Sequence, residues 1–181
     1  NRFLPPTICV TGAAHVDDSF HARFSAISRT YRYFFYSSQV RDPFKPHMTW
    51  VHYPLKLDAM REAAQCLVGT HDFSAFRASQ CQASSPVRTI HSISLVEQGD
   101  HAYLEVHGNA FLHHMVRNIV GCLMEVGQGR ETVEWMTTVL VSKNRSMAAK
   151  TYAAQGLSLW HIEYPEHFEI HRLFEPLPWI T

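Results

Sequence analysis

Residues 111–127 read FLHHMVRNIVGCLMEVG, and this run constrains the fold more than any other. Phe111, Leu112, Met115, Val116, Ile119, Val120 and Leu123 all favour burial, and their spacing predicts one helix over 111–127. A helix apolar around most of its circumference has to be covered by other elements. One stripe differs. His113, Arg117 and Gly121 fall one turn apart, with His114 and Asn118 beside them. Gly121 leaves room for another backbone. Arg117 has two physical options. Its stem packs while its head reaches water, or its guanidinium is buried and needs a carboxylate.

The rest of the chain supplies the cover. SRTYRYFFYSS, residues 28–38, predicts a strand dense in aromatics. Alternation puts Arg29, Tyr31, Tyr33 and Phe35 on one face, and Thr30, Arg32, Phe34 and Tyr36 on the other. Further strands are predicted over 7–16, 49–53, 88–98, 102–108 and 157–164, with a tight Gly99-Asp100 turn between 88–98 and 102–108. Helices are predicted over 57–68, stopping at Gly69, and over 131–142. Residues 19–25, 41–46 and 77–86 read as loops. Pro165, Pro176 and Pro178 mark the end as a surface-packed tail after a domain of residues 1–165. The order predicts an α+β fold: a mostly antiparallel sheet, helices on one face, and a ferredoxin-like β-α-β-β-α-β core. That arrangement hosts many functions.

Charge narrows them. Residues 1–91 hold 10 Lys+Arg against 6 Asp+Glu, and residues 92–181 hold 6 against 10, so a net charge of zero hides a basic first half. Twelve of the 16 basic residues are arginine, the side chain suited to planar contact with phosphate. Arginines interleaved with aromatics on 28–38, and again in FHARF at 20–24, are what base stacking and phosphate contact need. The amides of QCQ, 80–82, can bond bases or phosphates. A non-catalytic RNA-binding module fits these features. Cys9, Cys66, Cys81 and Cys122 are widely spaced with no C-x-x-C pair, which predicts inert thiols in a reducing cytoplasm. No apolar run is long enough for a membrane span, and the start does not read as a signal peptide. Adjacent His113 and His114 would point about 100° apart on a helix, so no metal is expected there. P-loop, G-x-G-x-x-G, G-x-S-x-G and H-E-x-x-H motifs are absent.

Taken together, FHARFSA with RTYRYFFY, AAQCLVGTHDFSAFRASQCQ, GNAFLHHMVRNIVGCLMEVG and AAQGL resemble the tRNA pseudouridine synthase A family in order and spacing, over residues 1–165. The resemblance implies an isomerase that converts uridine to pseudouridine at positions 38–40 of the tRNA anticodon stem-loop. It implies a cytoplasmic homodimer with no metal or organic cofactor, acting on a base taken out of its stack. By family role, Tyr31 lies against the target base and Arg117 pairs with the catalytic aspartate. Phe20, His21, Ala22, Arg23 and Phe24 contact tRNA, with Arg23 aiding base flipping, and so do Gln80, Cys81, Gln82, Ala83 and Ser84. The 80–84 loop lacks the basic residue that the family pattern carries at its end. The family's Gly-Arg-Thr-Asp-x-Gly-Val-His segment, which holds the nucleophilic aspartate, is also not in this sequence. Asp17 and Asp18 match no catalytic position, and Gly129-Arg130-Glu131-Thr132 lacks the aspartate. The expectation is therefore the C-terminal half of such an enzyme, inactive alone, with Arg117 meeting water, an ion or a substitute acid such as Glu125.

Overall fold

The computed structural model describes residues 1–170. Most of the predicted tail lies outside the described residues. The chain forms two compact units, Ser28–His161 and Asn1–Ile27 with the chain from Ile162 onward.

The larger unit is an α+β layer. Its elements run β1 (Ser28–Ser37), β2 (Thr49–Val51), α1 (Leu57–Gln65), β3 (Gly69–Asp72), β4 (Val87–Gln98), β5 (His101–Gly108), α2 (Met115–Gly127), α3 (Val133–Ser142) and β6 (Leu157–Glu163), whose last two residues belong to the other unit. The sheet order is β2-β1-β5-β4-β3, and β6 pairs with β1. β1 and β2 run parallel, while β1–β5, β5–β4 and β4–β3 are antiparallel. The mostly antiparallel α+β expectation is met.

Alternation builds the core. Tyr33 and Phe35 point to one side of β1 and are buried with Leu104 and Val106 of β5, Ile93 and Leu95 of β4, and the apolar faces of α1, α2 and α3. Met115, Ile119, Val120, Leu123 and Met124 of α2 are essentially inaccessible, so the long apolar helix is covered as its composition demands. On the opposite side of β1, Arg32 lies over the rings of Tyr103 (4.6 Å) and Trp160 (4.0 Å) and pairs with Glu105 at 2.6 Å. That face accommodates charge by cation–π and ionic contacts.

Two expectations fail, and one strand was not expected. Residues 7–16 form no strand, and Ile8 and Val10 stay exposed. β-favouring side chains make a strand only where a neighbour takes up the N–H and C=O groups. Here the Asn1 side chain, not a neighbouring strand, bonds both the Val10 N–H and its C=O. The second failure is the start of α2. Residues 111–114 are a turn, and His114 adopts a left-handed conformation (φ 61°), so the helix begins at Met115. His113 therefore leaves the predicted stripe, and the two histidine rings lie 3.9 Å apart rather than diverging. The unexpected strand is residues 69–72, which pair with β4, although nothing in Gly-Thr-His-Asp alternates. Gly69, at φ 108°, opens that strand.

Candidate active site

Tyr31 sits on β1 opposite Val106 of β5. It is half-buried at the margin of the core, its ring edge-on to Phe111 with centroids 5.0 Å apart. Burial pushes its phenol above the ordinary tyrosine range, partly offset by the Arg29 charge. The side chain thus stands as a neutral ring with its O–H intact. β5 ends at Gly108, paired with Arg29, and residues 109–114 lead straight into α2. Phe111 of that short connection is what packs against Tyr31.

Arg117 is in that first turn and is half-buried. Its Nε donates to the Tyr152 carbonyl at 2.8 Å, and the Tyr152 N–H donates back to the Arg117 carbonyl at 3.3 Å. Among the described residues, no carboxylate forms an ion pair with it. Glu125, the expected substitute, instead faces Arg130 at 3.5 Å. The Arg117 charge is felt by Tyr33 and His114. Burial raises Tyr33 to about 12, with the Thr49 hydrogen bond and Arg117 working against the rise. Burial, then His113 and Arg117, depress the His114 imidazole.

Gly121, one turn along from Arg117, faces the same passing segment. A Cβ there would collide with the Lys150 carbonyl oxygen. The predicted room for another backbone is therefore filled by residues 148–152. Asn118 completes the stripe. It is fully buried, donates to the Phe76 carbonyl at 2.7 Å and accepts from Thr151 at 2.6 Å. Reading the sequence missed Tyr152, Thr151 and Arg145 at this site. The available signal was a run of small residues, Ala148-Ala149, spaced to meet a helix stripe that contains a glycine.

The 80–84 loop is tied to the same place. The Ala78 N–H donates to the His113 carbonyl at 3.1 Å, and the His113 N–H donates to the Cys81 sulfur at 3.4 Å. One Arg77 nitrogen donates to the carbonyls of Cys81 and Ala83, both at 2.7 Å. Gln80, Gln82 and Ser84 are exposed, while Cys81 and Ala83 turn inward. Burial alone would raise the Cys81 thiol. The Ala83 and His113 N–H groups and the Arg77 guanidinium outweigh it, so the thiol ends below its ordinary value.

Phe20, His21, Ala22, Arg23 and Phe24 belong to the other unit. Phe20 is half-buried, edge-on to Tyr164 (5.0 Å) and Phe168 (5.2 Å), and the Tyr164 hydroxyl donates to the Ala22 carbonyl at 2.8 Å. His21 Nδ1 accepts from the N–H groups of Arg23 and Phe24. This tight loop displays Phe24, 74% exposed, with the Arg23 guanidinium 5.5 Å from its ring centre. Phe20 anchors the loop, and Arg23 and Phe24 are what it presents. Among the described residues, no three His, Cys, Asp or Glu side chains gather as a metal site, and no helix is long and apolar enough to cross a membrane.

Residues 63–165 match the tRNA pseudouridine synthase family. The chain belongs to that family. The matched span includes α2, the 80–84 loop and the segment that binds Arg117. Among its relatives is the tRNA pseudouridine synthase A of Bordetella petrii, 51% identical over 172 residues, covering 94% of this chain and 64% of that protein. The enzyme of the same name from Burkholderia mallei is 51% identical over 171 residues, covering 94% and 63%. That of Burkholderia thailandensis is 50% identical, with the same coverage. The chain thus spans under two thirds of these synthases' length, matching their C-terminal part.

Proposed function

We propose that this chain is the part of a cytoplasmic, homodimeric tRNA pseudouridine synthase that carries the arginine, the tyrosine and part of the RNA surface. The substrate is a uridine at positions 38–40 of the anticodon stem-loop. The observation that carries this reading is the setting of Arg117. Its Nε edge is committed to a backbone carbonyl, no acid of the described residues pairs with it, and an 80–84 loop bearing exposed amides is bonded to the turn before its helix.

In this role Arg117 holds the catalytic aspartate ionised and oriented, which a half-buried guanidinium does better than a solvated one. Tyr31, neutral and braced by Phe111, forms a wall for the flipped base. The bond from the ribose to N1 breaks with its electron pair left on the base, the base turns, a bond from the ribose to C5 forms, the C5 proton leaves to solvent, and N1 takes up a proton, so the product is an isomer of the substrate. Gln80, Gln82, Ser84, Arg23 and Phe24 take phosphate and base contacts.

Tritium release from tRNA carrying 5-tritiated uridine tests this. The chain alone is expected to release none, and adding the segment with the aspartate should restore release. Full turnover by these 181 residues alone would overturn the reading. Salt-dependent RNA binding, with no chemistry even after that addition, would leave a non-catalytic RNA-binding module. Sedimentation equilibrium of the full-length enzyme checks the homodimer, and a monomer at high concentration would refute it.

A further inference from the structure

Residues 148–156 cross the site without regular secondary structure, yet are pinned on both sides. Toward α2, the Arg117 and Tyr152 backbones and the Arg117 Nε make the bonds described above. Toward β1, Tyr33 donates to the Ala153 carbonyl at 2.7 Å, and the Phe34 N–H donates to the Gly156 carbonyl at 2.8 Å. A side-chain tie sits one residue along from the Arg117–Tyr152 pair. Thr151 Oγ1 donates to Asn118 Oδ1 at 2.6 Å. Arg145 closes the group. One of its terminal nitrogens reaches both Asn118 Oδ1 and Thr151 Oγ1 at 3.2 Å, and the other reaches the Ala148 (3.2 Å) and Ala149 (2.8 Å) carbonyls.

We propose that Asn118, Thr151 and Arg145 are positioning residues that aim Arg117: they fix the Tyr152 carbonyl, which takes the Nε–H and leaves the two terminal nitrogens as the edge that meets the catalytic carboxylate. This rests on the synthase reading of Arg117 given above. The geometry favours an aiming role over general adhesion for two reasons. The tie joins the residues directly next to Arg117 and Tyr152, so it sets the register between helix and segment. Asn118 Oδ1 and the Thr151 hydroxyl are also bonded inside the group, while the Asn118 amide nitrogen donates to the Phe76 carbonyl, and a buried network held in this way specifies one arrangement. A misplacement of about 1 Å at a reacting group costs about 100-fold in rate.

Thr151→Val removes the hydroxyl and keeps the shape, whereas Thr151→Ser keeps the hydroxyl. Both are measured in the full-length enzyme, by the single-turnover rate constant for pseudouridine formation, the tRNA dissociation constant, and the Arg117 Nε–H resonance in 15N-arginine-labelled protein. The valine variant is expected to lose about tenfold or more in rate constant, keep tRNA affinity within about twofold, and show a displaced, faster-exchanging Nε–H. Serine should restore the rate constant to within about twofold of the parent. Equal losses in both variants, or an unchanged rate or Nε–H signal in the valine variant, would overturn the aiming role. If Arg117→Lys turns over like the parent, the synthase role of Arg117 fails and the aiming role falls with it. If Arg117→Lys is inactive while Thr151→Val is not, only the aiming role fails.

Discussion

Gly121→Ala sets two rules of protein stability against each other. In an exposed helix, alanine is better than glycine by about 1 kcal/mol. At Gly121 the added methyl would run into the Lys150 carbonyl oxygen, a backbone atom that cannot rotate away. The 148–152 segment has to lift. Displacing packed structure this way costs about 1–3 kcal/mol. Lifting it also breaks the bond from Arg117 Nε to the Tyr152 carbonyl, a charge-assisted bond whose loss costs about 1.5–3 kcal/mol. After crediting the helix gain, the net expectation is a destabilisation of about 1.5–5 kcal/mol. Urea unfolding followed by circular dichroism reads it. With a slope of about 2 kcal/mol per molar, the midpoint should fall by about 0.8–2.5 M at unchanged slope. Gly127→Ala is the control, since a methyl there meets the flexible ends of Met60 and Leu55, and it should stay within about 1 kcal/mol of the parent. A Gly121→Ala protein as stable as the parent, or more so, would refute the close-approach reasoning.

Other measurements bear on the same groups. Cys81 should alkylate with iodoacetamide at lower pH in the folded chain than in the urea-unfolded chain, as followed by mass spectrometry, while buried Cys122, pushed up to about 11, stays protected until unfolding. Equal pH profiles for Cys81 in the two states would contradict the influence of Arg77 and the two N–H groups. Tyr33 is raised from 10.0 to about 12 in the folded state, so its stabilisation is complete below pH 10 and lost as pH rises toward about 12. Stability should therefore fall by up to about 3 kcal/mol across that window, and Tyr33→Phe should flatten the fall. An unchanged slope in that variant would refute the assignment. Asp72 is held below the usual carboxylate range by its bonds to Ser74, with Lys143 contributing. Its contribution is present above its unfolded value and fades on acidification through the folded one. Asp72→Asn should weaken the acid dependence of the unfolding midpoint, and identical acid titrations would count against it.

The sequence showed what local rules control and concealed what distant partners control. Tyr31, Tyr33 and Phe35 share a face because a strand alternates, and the alternation is visible in ten consecutive letters. Met115 to Gly127 is buried because almost nothing in it tolerates water. The helix start was not legible, since His114 in a left-handed conformation is set by the turn linking β5 to α2 and not by a proline or glycine signal. β3 owes its existence to β4, and residues 7–16 have β-favouring side chains but no neighbour to pair with among the described residues. The partner of Arg117 was sought among acids because charge seeks charge. The structure supplies the carbonyl of Tyr152, 35 residues away, and a backbone oxygen leaves no mark in a sequence.

The bonds joining the 80–84 loop to His113 have a thermodynamic consequence. Ala78 and Cys81 grip the turn that launches α2, so the loop and the first turn of the helix share one mechanical fate. Any ligand that stabilises one arrangement of the loop must, by reciprocity, be bound more tightly when Arg117 occupies the matching arrangement. Under the proposed synthase role, substrate capture at the surface and order at the arginine would be a single equilibrium, readable as a tRNA affinity that changes when the proposed carboxylate partner of Arg117 is present or removed.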